Sequence, residues 1–339
     1  MNLPEPRIID PSSVPSLRWG IIGPGGIAKS FIASVQAHTN QRIHAVASRT
    51  PGRAQEVADK FGIPVVLSSY EELVEHPEVD VVYIASHMSD HFEHGMLAIN
   101  AGKHVLIEKP ITYLPEEAKE LLAAARRKGV LAMEAMWIRY LPQSDVIDQL
   151  LAGGSLGEGQ LLTAAFCVDN RFIPRLWQKG GGGIVFDMGI YPIAAAQQFM
   201  GNPTKVTAQG KVRPDGMDEE SYALLEYANG ARAQLTMSGI SNLPIAVSCS
   251  FENAVVLIDE PFLSTTGVRL RTKQFNFTEQ SWSDASKVRG HEGLSYQATA
   301  LASYVAQGLT ESPVHTHADT VANIEVAFEI TRQIGAQPF

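Results

Sequence analysis

The sequence predicts an α/β fold, with a doubly wound parallel sheet first and an α+β region with an open, mostly antiparallel sheet second. Val/Ile-rich runs alternate with helical segments from residue 17 to about 140, which is typical of a parallel sheet covered on both faces. Beyond residue 140 apolar runs follow one another directly, and Asn229-Gly230 marks a tight hairpin. We therefore divide the chain into a flexible tail (1–16), a first domain (17–140) and a second domain (141–339).

The individual elements follow from the spacing of apolar residues and from helix-ending glycines. In the first domain, strands are predicted at 17–23, 42–48, 64–69, 79–86, 103–109 and 130–136, with helices at 26–37, 50–62, 69–76, 90–101 and 115–128. In the second domain, a helix is predicted at 144–152, strands at 205–213, 221–227, 231–239, 245–251, 254–260 and 268–275, and helices at 293–308 and 318–334. The Asn229-Gly230 hairpin is predicted to close in a type I′ turn.

Composition excludes several classes of function. Lys and Arg total 27 against 36 Asp and Glu, so the net charge is −9 and no basic patch supports nucleic-acid binding. Cys167 and Cys249 are too few for a disulfide framework, and the sequence shows no membrane-length apolar run or signal pattern, so we expect a cytoplasmic protein. Only 19% of residues are charged. An apolar outer face on the second sheet would explain this, and we expect a homodimer or dimer of dimers that packs through it.

A glycine turn joins the first predicted strand to the first predicted helix. It reads Gly23-Pro24-Gly25-Gly26-Ile27-Ala28, in the place where G-x-G-x-x-G/A holds a dinucleotide pyrophosphate against a helix N-terminus. A tight turn with no ligand is the alternative interpretation. The position of this turn in a strand–turn–helix unit favours cofactor binding.

Residues after the second strand indicate which dinucleotide binds. Ser48, Arg49, Thr50 and Arg53 occupy this position, and no carboxylate follows in the chain before Glu56. A carboxylate here would bind the ribose 2′-hydroxyl of NAD, whereas a guanidinium suits the 2′-phosphate of NADP. The sequence therefore favours NADP over NAD, unless Arg49 is only a surface arginine.

Glu108-Lys109-Pro110 ends the fifth long strand, at the sheet edge where α/β proteins bind ligands. A partly desolvated lysine there is able to polarise or deprotonate a hydroxyl group, although a solvated strand-end lysine is the plain alternative.

Five histidines are candidates for metal ligands or for surface positions. His87, His91 and His94 have a spacing that metal sites use, but no fourth ligand is evident, and we predict no metal. His315 and His317 are predicted to lie on the surface.

Four segments give the chain a resemblance to the glucose–fructose oxidoreductase / inositol dehydrogenase / rhizopine catabolism (Gfo/Idh/MocA) family. It is most similar to the branch of dimeric dihydrodiol dehydrogenases and NADP-dependent D-xylose dehydrogenases. The segments are AGKHVLIEKP (101–110), MEAMWIRYLP (133–142), GGGGIVFDMGIYPI (180–193) and GLSYQATALASYVAQGLTESP (293–313). The resemblance implies a Rossmann domain, a catalytic Lys109 often followed by a cis proline, and a tyrosine at 191 where many relatives have histidine.

Asp187 and Tyr191 lie four residues apart at the start of a helix, so they share one face. A phenol ordinarily titrates near pH 10, and a nearby ammonium such as that of Lys109 favours the phenolate. We therefore expect Tyr191 to act as acid/base on a substrate hydroxyl, with Lys109 assisting and Asp187 orienting the pair or the substrate.

The resemblance also implies further contacts. Trp137 and Arg139 become candidates for the substrate pocket. The implied cofactor contacts beyond the glycine turn and the Arg49 segment are Ala85, Ser86, His91, Glu108, Lys109 and Trp177. Two departures from the family pattern stand among them, because Met88 and Gln178 occupy places where relatives carry asparagine and arginine.

The predicted function is hydride transfer between NADP and a secondary alcohol of a sugar, polyol or cyclic diol. Two alternatives are a keto-sugar or anhydro-sugar reductase of the same family and a non-catalytic NADP-binding regulator.

Overall fold

The computed structural model describes residues 2–338, and these residues form two compact units. The N-unit contains residues 9–140 and 289–321, and the C-unit contains residues 2–8, 141–288 and 322–338. Neither unit is one continuous stretch of chain, which a division at residue 140 does not anticipate. The first residues are also held by specific contacts: Arg7 pairs with Asp145 at 2.7 Å, and the Asn40 side chain donates to the Val14 carbonyl at 2.8 Å.

The N-unit is built on a six-stranded parallel sheet in the order β3-β2-β1-β4-β5-β6, which is the strand order of a Rossmann fold. The predicted fold class is confirmed. Its strands are β1 (Arg18–Ile22), β2 (Arg42–Ala47), β3 (Val65–Leu67), β4 (Val81–Ile84), β5 (His104–Ile107) and β6 (Ala132–Glu134). The helices that follow them are α1 (Gly26–His38), α2 (Arg53–Phe61), α3 (Tyr70–Glu75), α4 (His91–Asn100) and α5 (Pro115–Lys128), and α8 (Leu294–Ala306) packs on α1.

Local chemistry sets the ends of these helices. In α5, Pro115 occupies the first turn with two glutamates, three basic residues fill the last turn, and Gly129 ends the helix in a left-handed conformation. The buried rings of Trp19, Phe31 and Tyr83 form a column, in which Trp19 is tilted against Phe31 at 5.4 Å and Tyr83 stacks on Phe31 at 3.9 Å between ring centres. This column fixes α1 against β1 and β4, the two strands beside the glycine turn.

The C-unit is built on an eight-stranded sheet in the order β14-β13-β12-β11-β7-β10-β9-β8. Strands β7 and β10 are parallel, and the other neighbours are antiparallel, as expected for this half. The strands are β7 (Gly159–Cys167), β8 (Lys205–Val212), β9 (Asp218–Glu226), β10 (Arg232–Ser238), β11 (Val247–Phe251), β12 (Ala254–Ile258), β13 (Gly267–Thr272) and β14 (Glu279–Ser283). Helices α6 (Pro142–Ala152) and α7 (Ile190–Met200) pack on one face. The last helix, α9 (His317–Ile334), begins in the N-unit and ends in the C-unit.

The hairpin between β9 and β10 is present, but its turn differs from the predicted type I′. That turn requires a positive φ at both central residues, and Asn229 keeps a negative φ. Instead, the Gly230 amide donates to the Tyr227 carbonyl at 3.0 Å, and Gly230 alone takes a left-handed φ of 86°. The loop is therefore a three-residue connection with a glycine bulge.

The other face of the C-unit sheet is more polar than the sequence suggests. The apolar residues of the predicted strands mostly point toward the helices, as Leu225, Leu235 and Cys249 do. One row across the opposite face consists of Thr207, Leu224, Gln234, Thr163, Ser248, Leu257, Arg269 and Ser281. Leu161 and Tyr222 beside this row are 45% and 50% exposed. The centre of the face is thus uncharged and mixed rather than apolar.

Two further observations concern the chain as a whole. None of the helices formed by residues 2–338 is long and apolar enough to cross a membrane. Cys167 and Cys249 are free thiols, and both are buried.

Candidate functional site

The glycine turn lies between β1 and α1, and its shape depends on Gly23. This residue has a φ of 74°, and a Cβ atom placed on it would be 2.6 Å from the Ser86 backbone. The turn therefore packs directly on the connection between β4 and α4, which carries Ala85 and Ser86. A Cβ on Gly26 would meet nothing within 4 Å, and Gly25 caps α1 without a side chain.

This arrangement fits a dinucleotide pyrophosphate. The first amides of α1 have no side-chain cap, and such amides together with the helix dipole attract anions. Ala28 behind the turn is fully buried, which allows the close packing of helix and strand that the motif requires. Gly23, Gly25, Gly26, Ile27 and Ala28 would hold the phosphates.

Arg49 follows β2, beside Ser48 and Thr50, and its guanidinium already has partners. It donates to the Asp90 carboxylate from the β4–α4 connection and lies over the Tyr70 ring at 5.8 Å. The hydrogen bond that it donates to Asp90 raises the pKa of Arg49. No carboxylate follows β2 closely in the chain, yet folding brings one to Arg49 from 41 residues away. Arg53 begins α2 and is exposed.

The β4–α4 connection is held by two histidines. His91 is 2% exposed and donates its Nδ1–H to the Pro110 carbonyl at 2.9 Å, while the His94 Nδ1 and the Ser86 hydroxyl share a hydrogen bond of 2.8 Å. Burial lowers the pKa of His91 to about 4, so its ring is neutral at pH 7. The described residues form no group of three or more His, Cys, Asp or Glu side chains suited to a metal. The structure thus gives His91 a supporting contact to the loop that carries Lys109.

Lys109 lies in a loop just beyond the carboxyl end of β5. Glu108 before it is buried and accepts a hydrogen bond from the Tyr83 hydroxyl, and the Lys109–Pro110 peptide bond is cis, as the resemblance implies. After the proline, the Ile111 amide donates to Glu134 Oε1 at 2.9 Å. Side chains from β4 and β6 therefore hold Glu108 and Ile111, on the two sides of the half-buried Lys109.

Glu134 and His315 are site residues that sequence reasoning missed. His315 Nε2 donates to Glu134 Oε2 at 2.8 Å, and both side chains are fully buried. The prediction that His315 and His317 lie on the surface is wrong: His317 is 6% exposed and donates to the Ala132 carbonyl at 3.0 Å. The signal available in the sequence was Glu134 itself, a carboxylate inside an otherwise apolar strand.

Trp137 and Arg139 form part of a short 3-10 turn after β6, in the N-unit. Both are buried, at 6% and 7% exposure. Arg139 donates to the Val314 carbonyl at 3.0 Å, and the Trp137 ring lies 5.9 Å from that of His291. Arg139 therefore helps to hold the segment that carries His315.

Asp187, Tyr191 and Trp177 belong to the C-unit. Asp187 lies in a single π-helical turn (Val185–Gly189) that leads into α7, and Arg175 Nη1 is 3.4 Å from its carboxylate. Tyr191 is in the first turn of α7 at 9% exposure, 6.0 Å from the Phe166 ring. Because Lys109 belongs to the N-unit, the predicted catalytic residues are divided between the two units.

Trp177, which precedes Gln178, has an arginine neighbour from elsewhere in the chain. Trp177 donates its indole N–H to the Asn170 carbonyl at 3.0 Å, and the guanidinium of Arg213 lies 5.4 Å from its ring centre. Trp177 therefore lies beside Arg213, which directly follows β8 in the chain.

Asp218 supports the turn that carries Asp187. Its side chain is fully buried and accepts a hydrogen bond of 2.8 Å from the Val185 amide. Burial raises the pKa of Asp218 to about 6, against the opposing effect of the backbone hydrogen bonds.

Comparison with known proteins matches both halves of the chain to models of one family. Residues 17–136 match the family model described as Gfo/Idh/MocA "Oxidoreductase family, NAD-binding Rossmann fold", and residues 146–251 match the Gfo/Idh/MocA C-terminal domain. The chain belongs to the Gfo/Idh/MocA oxidoreductase family. This Gfo/Idh/MocA protein is an oxidoreductase of the dehydrogenase and reductase kind that uses a nicotinamide dinucleotide.

Its relatives cover nearly the whole chain. Trans-1,2-dihydrobenzene-1,2-diol dehydrogenase of Mus musculus is 33% identical over 94% of this chain and 97% of its own length. A 3-ketoreductase from Actinomadura kijaniata, solved with NADP and TDP-benzene, has a TM-score of 0.83 and 26% identity, covering 94% of this chain and 98% of the other. Two other structures of that ketoreductase carry a lysine-to-alanine and a tyrosine-to-phenylalanine substitution. Levoglucosan dehydrogenase with NADH and levoglucosan shares the fold at a TM-score of 0.84 and 20% identity, covering 94% and 97% of the two chains.

The close approach at Gly23 makes a first prediction. Gly23→Ala adds a Cβ both at a positive φ and against the Ser86 backbone, so it costs about 1–3 kcal/mol for the conformation and a comparable amount for the clash. Gly102→Ala is the matched control, because Gly102 has a φ of 77° and open space around it. Urea unfolding of both variants separates the two costs. Equal losses in the two variants would contradict the packing described here.

The buried Asp218 makes a second prediction. Because the pKa of Asp218 is raised in the folded state, this side chain holds more protons in the folded protein than in the unfolded chain between about pH 4 and 6, and its contribution to stability falls as the pH rises through this range. From about pH 4.5 to pH 7 this loss is about 2 kcal/mol, and Asp218→Asn removes it. The measurement is the free energy of unfolding of both proteins against pH. Asp59→Asn, at an exposed position on α2, should keep the wild-type dependence of the unfolding free energy on pH. The same wild-type dependence in Asp218→Asn would contradict this account.

Proposed function

We propose that this protein transfers a hydride between NADP and a secondary alcohol of a sugar, polyol or cyclic diol. The observation that carries the proposal is the fixed loop of Glu108-Lys109-Pro110, at the same sheet edge as a glycine turn suited to a dinucleotide. The dihydrodiol dehydrogenase at 33% identity supports a vicinal diol or a related polyol as substrate. The ketoreductase at 26% identity favours reduction of a keto-sugar as the second candidate reaction.

NADP is the proposed cofactor because Arg49 offers a guanidinium after β2, with Ser48, Thr50 and the exposed Arg53 close in the chain. A guanidinium suits a 2′-phosphate, whose charge it balances in a bidentate hydrogen bond. The bound nicotinamide ring would supply or accept the hydride. Glu108, His91, Ser86 and Ala85 would support the cofactor from the ends of β4 and β5.

Tyr191 is the proposed acid/base. It would remove the proton from the substrate hydroxyl in oxidation and return it in reduction, while the ammonium of Lys109 stabilises the phenolate. Asp187 would orient the substrate through a hydrogen bond, and Trp137 and Arg139 are proposed to shape the pocket. The structures of a lysine variant and a tyrosine variant of the ketoreductase support the choice of these two residue types.

Lys109→Met and Tyr191→Phe test these roles. Each should lower kcat by about 10²–10⁴-fold, since each removes a group that handles the proton or its charge. The dissociation constant of NADPH, measured by fluorescence titration, should change little. Lys128→Met at the end of α5 and Tyr222→Phe on the open sheet face are matched controls that should keep full activity. Full activity in Lys109→Met or Tyr191→Phe would refute the mechanism.

A homodimer, or a dimer of dimers, is proposed to form through the open face of the C-unit sheet. The centre of this face carries Leu161, Tyr222, Leu224 and Leu257 among hydroxyl and amide side chains, with charged residues toward β8 and β13. Such an uncharged centre with a charged margin is the usual composition of an interface. The free thiols and the absence of a spanning helix among the described residues agree with a cytoplasmic location, which we also propose.

Leu161→Glu tests the interface, because it places an added charge between the sheets if two sheets meet there. Sedimentation velocity at micromolar concentration should show a dimer for the wild type and a monomer for the variant. Gln307→Glu adds the same charge at an exposed position after α8 and should stay dimeric. A monomeric wild type would contradict the proposal.

A further inference from the structure

The partner of Arg49 bears on cofactor choice. Arg49 has a side chain that is 59% exposed, and its guanidinium is bound to the Asp90 carboxylate, which is 22% exposed. Any group that reaches the guanidinium therefore also meets a carboxylate. The local sequence after β2 contains no such acid, so the site combines a cation that suits a 2′-phosphate with an anion that suits a 2′-hydroxyl.

Asp90 is held in this position from several sides. The Ser89 hydroxyl donates to Asp90 Oδ1 at 2.9 Å, and the Tyr70 ring lies under the guanidinium of Arg49. Tyr70 is itself fixed by an edge contact with His94 at 4.7 Å. Burial raises the pKa of Asp90, but hydrogen bonds from Ser89 and Arg49 outweigh this effect and the pKa is lowered overall, so the carboxylate is ionised at pH 7.

We propose that Asp90 is a specificity-determining residue that opposes the 2′-phosphate of NADP and accepts a hydrogen bond from the 2′-hydroxyl of NAD. This inference rests on the proposed use of a nicotinamide dinucleotide at the glycine turn. Arg49 and Asp90 together then make the preference for NADP modest, and NAD remains usable.

The size of the effect follows from Coulomb's law. A 2′-phosphate carries about two negative charges at pH 7, and two anions that share one guanidinium are about 6 Å apart. In a water-like dielectric the repulsion at this distance changes affinity about tenfold, and less at high salt. Removing the charge of Asp90 while keeping its shape should therefore raise the preference for NADP by that factor.

Asp90→Asn is the variant that tests the proposal. The dissociation constants of NADP⁺ and NAD⁺ are measured by calorimetry for the wild type and the variant, without substrate. The ratio Kd(NAD⁺)/Kd(NADP⁺) should rise about tenfold in Asp90→Asn, and the rise should shrink in 0.5 M salt. Competition with 2′,5′-ADP and 5′-ADP should give the same shift, because these probes differ only in the 2′-phosphate.

Controls separate this effect from a general change in charge or folding. Glu120→Gln removes one charge from the exposed side of α5 and should leave the ratio unchanged. Asp90→Ser repeats the loss of charge with a residue that helix starts tolerate, and circular dichroism verifies that each variant is folded. In an Arg49→Gln background, Asp90→Asn should still weaken NAD⁺ binding.

The possible outcomes are distinct. An unchanged ratio in Asp90→Asn would overturn the inference. Weaker NADP⁺ binding in this variant would also overturn it, because Asp90 would then serve only to orient Arg49. If the wild type binds neither dinucleotide, the proposed cofactor use fails, and the inference fails with it. If the wild type binds NADP⁺ and the Asp90 variants have the same ratio of dissociation constants as the wild type, the proposed function stands and this inference alone is refuted.

Discussion

The lysine loop depends on one buried carboxylate, that of Glu134. Its two oxygens bind the Ile111 amide and His315 Nε2, so it joins the segment after Lys109 to His315, which lies 181 positions after Glu134 in the chain. A carboxylate with no solvent exposure is tolerated only when its charge is compensated by hydrogen bonds of this kind. Segment 289–321 therefore belongs to the N-unit for a chemical reason, although it follows the whole C-unit sheet in the sequence.

The same loop is fixed from two other directions. Tyr83 donates to Glu108 on one side of Lys109, and His91 donates to the Pro110 carbonyl on the other. The His91 ring is neutral because it is buried, so it contributes direction without adding charge beside the lysine. Two neighbouring strands, β4 and β6, and helix α4 thus hold the segment that carries Lys109. Rigid support of this kind is what a catalytic group requires.

Sequence reasoning succeeded where a short segment determines the structure. The parallel sheet, the glycine turn, the limits of α5 and the position of the β9–β10 hairpin all follow from residues close together in the chain. It failed where distant residues decide. Strand β7 was missed because small residues (Thr163, Ala164 and Ala165) weaken its alternation, and only its neighbours β10 and β11 make it a central strand. His315 was assigned to the surface because nothing near it in the chain reveals Glu134.

Charged side chains show the same limit most clearly. A guanidinium after β2 suits a 2′-phosphate, but the charge beside it is set by Asp90, which comes from a different βα connection. Likewise, Gln178 gives Trp177 no neighbouring charge in the sequence, whereas folding brings the guanidinium of Arg213 over the indole ring. In both cases the residue type at one position gives only part of the electrostatic environment, since charge acts through space at distances of a few ångströms. The chemistry of such a position is therefore a property of the folded cluster and not of the motif.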